Sequence, residues 1–145
     1  IGPWPSTVTA MGQAFANRFF QYFPRWPEGS AFEAYDAVWL IADALIKTES
    51  LAPDAVIDAL EKTDLTLASG HYTFPFGRTN PPDSKSVPAY MWHQWPEPPV
   101  LYLQYTEKDQ PATEMRVIWP PEYSKSDEPI APELKALLGE IGLHH

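Results

Sequence analysis

Ser30-Ala31-Phe32-Glu33-Ala34-Tyr35-Asp36-Ala37-Val38-Trp39-Leu40-Ile41-Ala42-Asp43-Ala44-Leu45 is the stretch on which the fold reading turns. Its apolar residues Phe32, Tyr35, Val38, Trp39, Ala42, Leu45 and Ile46 recur at the spacing of one helical face, so it reads as an α-helix. Ser30 and Glu33 form a capping-box signature at its start, in which hydroxyl and carboxylate would satisfy orphan backbone N–H groups. The apolar stripe is broad, as suits a helix laid against a sheet. Asp36 and Asp43 fall two turns apart on one face, which reads as a solvated face rather than an acid–base pair.

Working outward, Val8, Met11, Phe15, Phe19 and Tyr22 predict an earlier helix, capped by Ser6 or Thr7 and stopped at Pro24. Downstream, Pro53 in a first turn, Asp54 beside it, and Val56, Ile57 and Leu60 on one face predict a third, shorter helix. The period then changes. Gly70 to Phe74 reads as a strand, followed by a turn-rich stretch from Gly77 to Pro88. Ala89 to Trp95, Val100 to Tyr105 and Glu114 to Trp119 read as three aromatic strands joined by hairpin connections. Leu134, Leu137, Leu138 and Ile141 predict a short terminal helix with Gly142 as its cap. The fold class expected is α/β, or α+β for this stretch standing alone: helices first, then an antiparallel meander. Residues 1–76 form the helical part, 77–123 the aromatic strands and 124–145 a polar tail with its short helix.

Composition narrows the function. The 145 residues suit one domain rather than two full-sized ones. A net charge of −9 lacks the clustered cations that nucleic acid or an anionic lipid surface requires. There is no cysteine, which removes disulfides, zinc-thiolate centres and thiol catalysis. No Gly-x-Ser-x-Gly elbow, phosphate-cradling glycine loop or dinucleotide fingerprint occurs, and His71 and His93 have no ligand-spaced partner, so neither a cofactor nor a metal is expected. Ile1-Gly2-Pro3 has no basic n-region of a signal peptide and reads as a processed or truncated end. The helices precede any strand they would pack on. That order predicts that their sheet is supplied from outside, by an N-terminal portion or by a second chain.

Residues 34–45 resemble the "YDAV-x-LLADAI" helix of type I periplasmic solute-binding proteins, the binding subunits of ABC importers for branched-chain amino acids, amides and urea. Leu51 to Asp64 is similar to that family's "PDAVIDALEKTD" helix, and Gly70 to Phe74 to its "G-x-x-x-F" strand. Phe15 to Pro24 is similar to the helix that precedes these, and Val117-Ile118-Trp119-Pro120-Pro121-Glu122-Tyr123 to the closing strands and their tryptophan–proline end. The resemblance covers about residues 7 to 123. It implies the C-terminal portion of a two-lobed fold in an extracytoplasmic protein that binds a small organic solute, amino-acid-like or aromatic. Lobe closure would present the protein to an ABC permease, with no catalysis. The aromatic loading of the strands and the proline clusters at 81–82 and 96–99 depart from the family pattern and leave the solute open.

A clamshell binder needs polar groups aimed into a cleft from the ends of rigid elements. Trp4, Ser6 and Thr7 before the first helix, and Ser30, Phe32, Glu33 and Tyr35 at the start of the second, are the candidate ligand-binding residues. Each has a plainer reading beside it: caps for Ser6, Thr7, Ser30 and Glu33, and buried aromatics for Phe32 and Tyr35. The alternative function is a sensor or interaction domain of the same half-fold that pairs with another chain. In either case open sheet edges predict homodimerisation or strand swapping of the isolated chain.

Overall fold

The computed structural model describes residues 8–110 and 114–124. These have an α+β arrangement of three helices and two small two-stranded antiparallel sheets. The chain divides into two compact units between Pro99 and Val100.

In the first unit, α1 (Ala10–Tyr22) begins one turn later than the sequence suggests. Thr9, rather than Ser6 or Thr7, is its N-cap, accepting the Gly12 N–H at 2.9 Å. The same hydroxyl reaches the carbonyls of Leu67 at 2.8 Å and Ala68 at 3.1 Å, and this long-range anchor fixes where the helix starts. Gly12 is required by the approach: a β-carbon there would sit 2.5 Å from the Ala68 carbonyl oxygen.

The second helix, α2 (Gly29–Thr48), begins directly after the fully buried Pro27, with Glu28 at its N-cap and no side-chain cap. The expected capping box is therefore not formed. Anchoring at Pro27 starts the helix earlier, which places Ser30 inside the first turn rather than ahead of it. A single left-handed residue, Glu49, ends it, its N–H returning to the Leu45 carbonyl at 2.9 Å. The third helix, α3 (Pro53–Leu60), has proline in its first turn and Asp54 near its N-terminus, as read from the sequence.

β1 (Asp64–Thr66) pairs antiparallel with β2 (His71–Thr73), Leu65 opposite Tyr72. The turn between them, residues 67–70, is buried throughout. Its Gly70 has φ +150°, a conformation in which a side chain would be strained. Ala68 of this turn, Ala16 of α1 and Phe32 of α2 make the core, with Met11, Phe15 and Tyr35 packed against it. Phe15 meets Phe32 edge-on at 4.9 Å and stacks on Tyr35 at 4.4 Å.

The strand expected at 89–95 is not formed. Pro88 leads instead into a single 3₁₀ turn, Ala89–Met91, and His93 adopts a left-handed conformation with φ 54°. Prolines at both ends deny the segment ladder donors. Its polar groups find other partners: the His93 N–H donates to the Phe76 carbonyl and the Trp95 indole to the His71 carbonyl. Trp95 stacks on Tyr72 at 3.9 Å. Pro96 to Pro99 is accordingly not a hairpin connection.

In the second unit, β3 (Tyr102–Gln104) pairs antiparallel with β4 (Arg116–Trp119), with a register shift between Tyr102 and Leu103. Val117 and Ile118, successive residues on opposite faces, are both buried. The meander of three strands expected after residue 77 is thus one pair. The terminal helix expected from Pro132 lies outside the described residues.

Candidate functional site

Two carboxylates organise the first unit. Asp36, placed by helical spacing between Phe32 and Leu40 on the inner row of α2, is fully buried. Its oxygens accept the N–H groups of Ala68 at 2.8 Å and Ser69 at 2.7 Å, and the Tyr72 hydroxyl at 3.1 Å. The sequence expectation of a solvated Asp36–Asp43 face is overturned here. The turn at 67–70 lies over Asp36, whereas Asp43, two turns further along the same face, is half-buried and pairs with Lys47 at 2.7 Å. These three donors, from the turn and from β2, make Asp36 a structural clasp between α2 and the turn. Burial pushes the Tyr72 hydroxyl up to about 12, with the neighbouring Asp36 charge acting in the same direction.

The second carboxylate, Glu61, follows α3. It accepts the Arg78 backbone N–H at 2.8 Å and the His93 Nε2 at 2.8 Å, and Gly77 lies so close that a β-carbon would collide with the carboxylate. The Arg78 amide and then the His93 imidazole hold the Glu61 carboxyl below its ordinary range. The Arg78 guanidinium turns back to Asp54 of α3 at 2.7 Å. Glu61 and Arg78 thereby fasten the start of the proline-rich loop to α3.

Beside this fastening lies a groove of about 240 Å³. Ala37, Leu40 and Ile41 of α2 form one wall. Ile57, Leu60 and Glu61, from α3 and its C-terminal end, form the other, with Phe74 and His93 completing the lining. Both helices contribute residues at i, i+3 and i+4, so each wall is one helical turn of apolar surface. The lining is apolar except at the Glu61–His93 corner. A carboxylate accepts only, so the Nε2 of His93 is the donor in this pair.

Of the sequence candidates, Ser30 and Glu33 are exposed near the start of α2, Phe32 is in the core, and Tyr35 is half-buried against Phe15. None of the four lines the groove. Trp4, Ser6 and Thr7 lie outside the described residues. Trp26 stacks on Phe20 at 4.6 Å. The groove escaped sequence reading because its polar corner joins residues 32 apart. Gly77, a glycine without a turn dipeptide, is the one local signal of a close approach there.

Among the described residues no cluster of three or more His, Asp or Glu side chains is placed to hold a metal, and no helix is long and apolar enough to cross a membrane. Searches of protein-family models, of curated proteins and of solved structures find no match to this chain.

Proposed function

We propose that the chain is the C-terminal portion of a type I, two-lobed solute-binding protein of an ABC importer, working outside the cytoplasm. It binds a small amino-acid-like or aromatic solute without chemistry and presents the closed form to the permease. The observation that supports this beyond the motif order is the outer face of α2. The helix packs inward through the row Phe32, Asp36, Leu40 and Ala44, while Val38, Trp39 and Ile46 of the stripe read from the sequence point the other way. Val38 is 69% exposed and Ile46 76%, with Trp39 and Ile41 close to half exposed. A helix apolar all round belongs in an interior, so its outer face calls for a covering layer. In the proposed fold that layer is the sheet of the N-terminal lobe, supplied by a preceding segment. Ser30 and Glu33, exposed near the start of α2, and Trp4, Ser6 and Thr7 ahead of α1 are the proposed solute contacts.

The test is titration of the full-length gene product with pooled amino acids, amides, ureas and aromatic acids, followed by tryptophan fluorescence. A saturable response to one class is expected. A folded two-lobed product that answers none of them refutes the reading. The same uncovered face supports the alternative of an interaction domain that pairs with another chain. Sedimentation of the isolated 145-residue chain addresses both readings: concentration-dependent association is expected, and a strictly monomeric chain removes the need for a cover.

A further inference from the structure

We propose that the exposed aromatic end of α1 is an interface between two copies of this chain, related by a two-fold axis. The inference does not rest on the transport reading, and it concerns the end of α1 rather than the outer face of α2.

Residues 20–26 are exposed one after another, and four of the seven are aromatic, which concentrates apolar surface in water. Phe20 is 42% exposed, Phe23 55% and Tyr22 74%. The rings are held in place within the chain. Phe20 stacks on Trp26 at 4.6 Å, Phe23 lies 4.9 Å from Phe19, and the Arg25 guanidinium sits over the Phe19 ring at 5.3 Å. The buried Pro27 ties the segment to the core. Rings ordered beforehand lose less freedom on association. Aromatic side chains with arginine, and no lysine or acid among them, are the composition of an interface centre.

The charges at the edge of this patch select its occupant. Arg25 and Glu28 flank Trp26 and Pro27, and both are exposed. They stand three residues apart, yet among the described residues neither has an ion-pair partner. An isologous interface needs a surface that carries its own complement. Opposite charges on the two sides of an apolar centre meet that need: with the axis beside Trp26, Arg25 of each copy faces Glu28 of the other. An anionic bilayer does not fit, because Glu28 and the net charge of −9 oppose it, and Arg18 and Arg25 are fewer cations than such binding takes. An acidic partner would use Arg25 and leave Glu28 against like charge.

Sedimentation of the 145-residue chain carrying Val38→Ser and Ile46→Ser isolates this contact, since those changes remove apolar surface from the outer face of α2. A reversible dimer is expected. Phe20→Ser in that background is expected to weaken it at least about tenfold, as loss of a central ring does. Arg25→Glu and Glu28→Arg each place like charges across the axis, and each is expected to weaken the dimer by about tenfold. The two reversals combined in one chain are expected to restore it, and an equimolar mixture of the two single variants is expected to pair where neither alone does. The substituted side chains are exposed, and circular dichroism checks that each variant keeps the parent fold. A dimer indifferent to Phe20→Ser, or reversals that do not restore pairing when combined or mixed, overturns the interface. Loss of the parent's association on the two serine substitutions alone also overturns it, and leaves the reading of a covered α2 face standing.

Discussion

The turn at 67–70 and the loop from Phe76 to Trp95 are both tied to the helical layer by a single carboxylate, yet the two ties differ in kind. Asp36 is fully buried and holds two backbone amides and a phenol, groups that do not change charge below the alkaline range. Glu61 holds a backbone amide and an imidazole, and its histidine partner is half-exposed. The first tie is a permanent part of the core, because unpairing it strands three donors in a dry place. The second meets solvent through its histidine, 38% exposed, although the Glu61 side chain itself is only 6% exposed, and acid removes the charge on its carboxylate.

Asp36→Ala is the largest effect this comparison predicts. Two amides and the Tyr72 hydroxyl lose their acceptor, each at about 1–3 kcal/mol. A total near 4 kcal/mol is a large share of the stability of a domain this size. Chemical denaturation measures it, and a loss below about 1 kcal/mol would mean water reaches the turn and the contrast with Glu61 is false. Next comes Gly12→Ala. In a free helix this change adds about 1 kcal/mol of stability. Here the new β-carbon meets the Ala68 carbonyl at 2.5 Å, so the sign reverses, to a loss of about 1–3 kcal/mol.

The pH dependence sharpens the comparison from both sides. Glu61 has a folded pKa below its ordinary value of 4.5. Its stabilisation is present above that value and is lost as pH falls through the folded pKa. Glu61→Gln is therefore expected to be less stable than the parent at neutral pH, the difference closing as pH drops below 4.5. Tyr72 is the mirror case. Its hydroxyl is raised from 10.0 to about 12, so its stabilisation is complete below pH 10 and is lost on the way to pH 12. Tyr72→Phe is expected to flatten that alkaline loss.

What could be read in the sequence follows the range of the interactions. The three helices were legible because periodicity and Pro53 act within a turn or two. The pairing of β3 with β4 rests on strands the residues already suggested. β1 has only three residues, too short an alternation to stand out, and the sequence reading does not include it. The segment from Ala89 to Trp95 alternates like a strand, but its fate is settled by partners at Phe76, His71 and Tyr72, well outside any local window. The candidate site was the least legible part. Glu61 and His93 meet across 32 residues, and the amides that claim Asp36 lie 32 and 33 residues away, where a backbone N–H leaves no mark in a sequence. One local sign existed for Asp36: it interrupts the row of Phe32, Leu40 and Ala44, and an acid inside an apolar row needs a buried partner.

Asp43 supplies the smallest and most discriminating test, because it is the same residue type on the same helix face two turns along. Its carboxylate meets the Lys47 ammonium at 2.7 Å, with the lysine side chain 48% exposed. An exposed pair at i, i+4 contributes about 0.3–0.5 kcal/mol and is screened by salt. Asp43→Asn is expected to cost no more than that, and the cost should vanish at high salt, whereas the loss for Asp36→Ala should be insensitive to it. If the two substitutions instead respond to salt alike, then the turn at 67–70 does not seal Asp36 from solvent. The inner row of α2 would then be no better covered than its outer face, and the distinction between the helix's two sides would have to be given up.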